Sequence, residues 1–181
     1  MHEVRLGFKI KDYLTGKEID ATTYEDFRQE IARVMVEEKG YPKQNIQSKA
    51  RIELEIEGNK IVRYVDFVVL FDNRPFMVVT FCAGEVETYV RESISMARLI
   101  DNGPARFSLV TDTQKFILLY AKDGEIIKSG PFSQFPTWNE ITALKDKYPH
   151  FEYPLDKRPK EKRILYALSA LSCECRDSCQ L

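Results

Sequence analysis

The 181-residue chain has no apolar run approaching the roughly 20 residues needed to cross a bilayer. Its opening, MHEVRLGFKIKDYL, lacks the long apolar core of a secretory signal, so a cytoplasmic location is expected and no membrane among its partners. Histidine is confined to His2 and His150. Neither is close in sequence to Cys82, so that thiol has no adjacent base and is expected to be a small buried hydrophobe rather than a nucleophile. The net charge is only −1, which excludes a global basic field for nucleic acid and leaves room for a local patch. Internal repeats and low-complexity stretches are missing too. What remains is 44 % hydrophobic and 30 % charged, the composition of one ordinary globular domain with room for a small terminal appendage.

The elements follow from periodicity and punctuation. GFKIKDYL suggests a short strand. Thr22 followed by Glu25 has capping-box spacing, and Phe27, Ile31, Val34 and Met35 continue at helical intervals until Gly40 and Pro42. RIELEIE, residues 51–57, alternates strictly, so one face of that strand is wet. A turn is expected at Gly58-Asn59, a strand over 61–70 (IVRYVDFVVL), a turn at 72–75 and a central strand over 76–82 (FMVVTFC). Residues 85–100 make a second helix with Val86, Tyr89, Val90, Ile94, Ala97 and Ile100 as its core stripe, followed by strands over 106–111 and 115–121. Three antiparallel strands between two helices, then two more strands, predict an α/β fold with a mixed central sheet flanked by helices.

The tail differs in character. Residues 138–148 suggest a short helix, 149–159 a linker and 160–172 (KEKRILYALSALS) another helix. A boundary near residue 135 is expected, with 136–181 a helical appendage. DKRPKEKR, residues 156–163, is the one local basic run. Its Lys160, Lys162 and Arg163 are either phosphate contacts or the solvated start of a helix. Cys173, Cys175 and Cys179 fall within the last nine residues. A reducing cytoplasm disfavours a disulfide framework. Three close thiols then mean Zn²⁺ or an iron–sulfur cluster with a ligand from elsewhere, or a loose tail, and the missing C-x-x-C pair weakens the first.

An isolated carboxylate, Asp66, interrupts the apolar run 61–70, and an acid there is costly to bury unless something holds it. The stretches TTYEDFRQEIARVMVEEKGYPKQNI, RYVDFVVLFDNRPFMVVTF, SMARL and ARFSLVTD, in that order, make the chain resemble the N-terminal nuclease domain of type I restriction enzyme R subunits. The resemblance covers roughly 100 of the 181 residues, from Thr22 to about Tyr120. It implies a restriction-endonuclease-like domain over 1–135 and the chemistry of the PD-(D/E)xK nucleases. There, an Asp and a Glu hold Mg²⁺, which polarises phosphate and activates water, while a Lys offsets developing negative charge.

Carried over by the resemblance, Asp66 takes the Asp position, Thr80 the Glu position and Cys82 the Lys position. Glu92 and Met96 fall where the family often has Gln and Tyr. A hydroxyl is a poor Mg²⁺ ligand and a thiol supplies no fixed positive charge, so the implied cleavage mechanism is expected to be absent or very weak. Asp66 is then a Mg²⁺ ligand or a relic making local hydrogen bonds. A migrated carboxylate at Glu85 or Glu92 would restore an active nuclease. Glu25 and Arg28 match the family pattern as well, as pocket residues or as a surface pair. Asp66, Thr80 and Cys82 are expected to converge on one pocket. Three roles follow: a cleavage-inactive protein that binds DNA, a protein partner or a second copy of itself; a metal-dependent endonuclease with a rearranged site; and a metal or redox protein using the tail cysteines.

Overall fold

A computed structural model describes residues 3–172 of the chain. The first hairpin pairs Arg5–Lys11 (β1) with Glu18–Thr22 (β2) as a two-stranded sheet of its own. Thr22 therefore ends a strand and caps nothing. The first helix, Glu25–Arg33 (α1), starts after Tyr24 without a side-chain cap. It runs into a π-helical turn, Val34–Glu38, and stops at Gly40, whose φ of 72° suits a residue without a Cβ. A capping box is present further along, at Thr137 and Glu140.

The meander begins earlier than the alternating run suggests, at Ile46–Ile56 (β3). Glu57 and Gly58, both at positive φ (52° and 83°), turn the chain back into Asn59–Phe71 (β4). Positive φ at both central residues is type I′ geometry, whose twist matches that of the flanking strands. Asp72 and Asn73 (50° and 59°) make a second such turn into Arg74–Phe81 (β5). β5 is buried from Pro75 to Thr80, as a strand covered on both faces must be.

Helix Val86–Leu99 (α2) crosses over to Phe107–Thr111 (β6), which lies parallel to β5. Lys115–Tyr120 (β7) and Ile126–Pro131 (β8) complete a six-stranded mixed sheet in the order β3-β4-β5-β6-β7-β8. β8 lies at the sheet's edge and is largely exposed, so its sequence carries little apolar periodicity to announce it. Trp138–Ala143 (α3) is shorter than the pattern over 138–148 suggests, and Arg158–Ser172 (α4) follows.

Two faces of the sheet are distinguished at the end of β5. Successive strand residues point to opposite sides. Phe81 packs on Tyr24 and Phe27, at the start of α1. Thr80 points the other way, its hydroxyl 3.0 Å from that of Ser93 on α2. α1 and α2 therefore cover opposite faces there. The core is continuous beyond residue 135: Ile141, Tyr148, Phe151 and Leu165 join the cluster that holds Met77, Val79 and Leu109. α4 is further fastened to α2 by the buried Glu161, which binds Ser95 (2.8 Å), Arg98 (2.7 Å), Arg91 (2.8 Å) and Tyr153 (2.7 Å). No described helix is long and apolar enough to cross a membrane.

Candidate functional site

Asp66 lies within the β3–β4 ladder at its one irregular point. Ser48 pairs with Phe67 and Ala50 with Val65, but the intervening Lys49–Asp66 rung is missing. Lys49 there has a φ of 53°, a left-handed conformation costly for a residue with a Cβ. Released from the ladder, Asp66 makes two bonds. Oδ2 accepts from the Phe81 amide at 2.8 Å, and Oδ1 accepts from Arg28 Nε of α1 at 2.5 Å. The Arg28 guanidinium also donates from Nη2 to Glu3 Oε2 at 3.0 Å, from Nη1 to Glu3 Oε1, and from Nη1 to Glu25 Oε2 at 3.4 Å.

Glu25 is 1 % exposed, so its pairing with Arg28 is an interior one rather than a surface pair. It also meets Lys49 Nζ at 3.0 Å and the Gln29 amide at 2.9 Å. Gln29 in turn donates to Asp12 at 3.1 Å, and Asp12 caps its own turn by accepting from the Thr15 amide and hydroxyl. The result is a recess of about 220 Å³ walled by Asp12, Glu25, Arg28, Ser48, Lys49 and Asp66 among others. Burial pushes the Asp66 carboxyl above its usual range, against the pull of Arg28 and the Phe81 amide. Burial alone would lower Arg28. Glu3 and Asp66 outweigh it and hold the guanidinium above its ordinary value, so it stays charged.

The remaining sequence-derived candidates lie elsewhere. Thr80 follows Val79, which pairs with Phe67 across the β4–β5 ladder, and its hydroxyl joins a buried relay with Ser93 and Ser108, the latter pair 2.7 Å apart. Cys82 is 1 % exposed among Val86, Ile94, Val110, Ile117 and Leu119, and burial pushes its thiol up to about 12. Asp66 bonds Arg28 of α1 and the Phe81 amide between Thr80 and Cys82, whereas the side chains of Thr80 and Cys82 sit in the packing on the α2 side. Glu92 is buried on α2 and paired with Arg63, and Met96 is core. Glu85 pairs with Lys115 at 3.0 Å. Lys160 and Arg163 are exposed and Lys162 half-buried on α4, which packs on α2 and β3, and none of them lines the recess. Cys173, Cys175 and Cys179 fall outside the described residues.

The Mg²⁺ that the resemblance implies does not fit this arrangement. A hard dication needs several free anionic oxygens around one point. Each Asp66 oxygen already accepts a hydrogen bond, and a guanidinium and an ammonium stand among the acids. Among the described residues, no three His, Cys, Asp or Glu side chains are grouped to hold a metal ion.

Sequence reasoning missed Glu3, Asp12, Gln29 and Lys49. Lys49 had a signal, the hairpin register, but reading it required placing the turn at Glu57-Gly58 rather than one residue later. Glu3 and Asp12 had none, since their approach depends on how the first hairpin docks.

Over residues 23–131 the chain matches the family model described as type I restriction enzyme R protein N terminus. No curated protein and no solved structure matches the chain.

Proposed function

The chain belongs to the family of type I restriction enzyme R protein N termini, and from that premise we propose that it is a restriction-system nuclease-like domain whose centre has ceased to cleave and which acts by binding. The observation that carries this reading is the state of Asp66. The carboxylate that would hold a divalent ion is instead engaged on both oxygens, by Arg28 and by the Phe81 amide. In addition, Thr80 and Cys82, where the family carries its second acid and its lysine, sit in the α2-side packing and bring no charge to Asp66, and losing one such charged group typically costs on the order of 10²-fold or more in rate. What this domain binds, in this reading, is DNA or a protein partner, with a second copy of the chain included among the latter.

A cleavage assay tests the proposal. Plasmid and single-stranded DNA are incubated with the full chain and Mg²⁺ or Mn²⁺, and no divalent-dependent cleavage is expected. Robust cleavage that disappears in Asp66→Ala would overturn the reading in favour of an active nuclease with a rearranged site. Writing the missing groups back, as Thr80→Glu with Cys82→Lys, should not help. Both charges would be buried against the serine relay and the Val110–Ile117 packing, at a cost of about 3 kcal/mol or more.

A further inference from the structure

We propose that the centre around Asp66 is a guanidinium site, in which Arg28 is the resident cation and no divalent metal takes its place. This rests on the reading of the centre as non-cleaving but commits to more, namely the chemical class of cation the site accepts. The geometry of the donors carries it. Glu3, Glu25 and Asp66 come from three separate parts of the chain, and each meets a different edge of one planar group. Asp66 accepts from Nε, Glu3 takes both terminal nitrogens, and Glu25 lies beside Nη1. That is the divergent five-donor fork of an arginine, with acceptors spread around its rim. A metal ion needs the opposite, oxygens closing on one point at little more than 2 Å, and these carboxylates are not so grouped.

The surroundings are consistent with a fixed rather than exchangeable cation. The Arg28 side chain is only 14 % exposed, and that of Asp66 12 %. Lys49 compensates the rest of the acid charge at Glu25, and it does so from a left-handed backbone that the strand pairing itself does not call for. Because Glu3 precedes β1, the same guanidinium also ties the N-terminal residues to β4.

Chemical rescue tests whether the site takes a guanidinium in preference to a metal ion or an ammonium. Thermal unfolding of the full chain should be indifferent to replacing EDTA by Mn²⁺ at matched ionic strength. Arg28→Ala should lower the Tm by several degrees, and ethylguanidinium chloride at tens of millimolar should recover about 3 °C of it. Equal concentrations of NaCl, ethylammonium chloride or Mn²⁺ should recover none. A Tm rise with Mn²⁺ in either protein overturns the proposal, and so does a rescue by ethylguanidinium no better than by NaCl. Should Arg28→Ala not fold, Arg28→Lys decides. It keeps a cation and loses the fork, so a Tm equal to that of the natural protein would sink the idea. A Mn²⁺ shift without cleavage defeats the guanidinium assignment alone, whereas cleavage without a Mn²⁺ shift defeats the non-cleaving reading alone.

Discussion

At the scale of single residues, the chain uses polar side chains in two distinct ways beside one another. Asp66 is held by charge, through Arg28, whereas Thr80 is held by neutral hydroxyls, through Ser93 and Ser108. A buried hydroxyl with partners on both sides contributes about 1 kcal/mol, while an unpaired buried charge costs several. Both kinds of anchoring occur in the α2 layer as well, where the Thr80–Ser93–Ser108 hydroxyls lie on the same helix as the Glu92–Arg63 pair. Cys82 lies in that layer too, and its chemistry can be measured. With Cys173, Cys175 and Cys179 changed to Ser, Cys82 is the only thiol left. Raising a thiol from its ordinary 9.0 to about 12 cuts the thiolate fraction at pH 8 by roughly 10³-fold. Ellman's reagent should therefore leave the native protein unmodified over minutes and label it at once in guanidinium chloride. Rapid labelling of the native state would show that Cys82 is accessible.

Among the elements, α4 is held by Leu165 in the core and by one buried carboxylate, and the carboxylate makes its attachment sensitive to pH. Glu161 sits under two arginines, a serine and a tyrosine. Burial opposes its charge, but Tyr153, Ser95, Arg91 and Arg98 outweigh it and hold its carboxyl down to about 2, from an ordinary 4.5. A carboxyl depressed by folding stabilises above its unfolded value and loses that contribution as pH falls through its folded one. Glu161→Gln should therefore lower the Tm at pH 6 by several degrees, since it leaves Arg98 buried without its anion. The gap between natural and variant protein should close between pH 4.5 and pH 2. A gap that is constant with pH would mean that the carboxylate's charge plays no part in docking α4.

Over the whole molecule, the family match ends at residue 131, but the hydrophobic core does not. Ile141 and Leu165 are fully buried, and Tyr148 and Phe151 nearly so, in the cluster built on β5 and β6. Burying a large apolar side chain contributes about 1.5–3 kcal/mol, so losing these four removes about 6–12 kcal/mol, comparable to the roughly 5–15 kcal/mol that typically stabilises a domain. A chain ending at residue 135 should lack a cooperative thermal transition and expose apolar surface to a hydrophobic dye. A sharp transition from that fragment would establish 1–135 as an independent folding unit.

The sequence by itself determined most of the elements, because their signals are local. Alternation in RIELEIE, the Gly40 stop, the Asp72-Asn73 turn and the unbroken apolar run of β5 each act within a few residues. It also marked Asp66 as anomalous, since an acid in an apolar strand must be held by something. What holds it was decided by tertiary structure. Arg28 is 38 residues away, and Glu3 arrives only because the β1–β2 hairpin docks beside α1. Lys49 depends on strand register, where a small error is amplified. A turn at Gly58-Asn59 would set Arg51 across from Asp66, but the turn at Glu57-Gly58 sets Lys49 there. The direction of the Thr80 side chain was equally beyond local pattern. Asp66 precedes Phe67 and Thr80 follows Val79, a paired rung, yet the Asp66 carboxyl bonds Arg28 of α1 while the Thr80 hydroxyl bonds Ser93 of α2, because which helix each side chain meets depends on how α1 and α2 dock on the sheet.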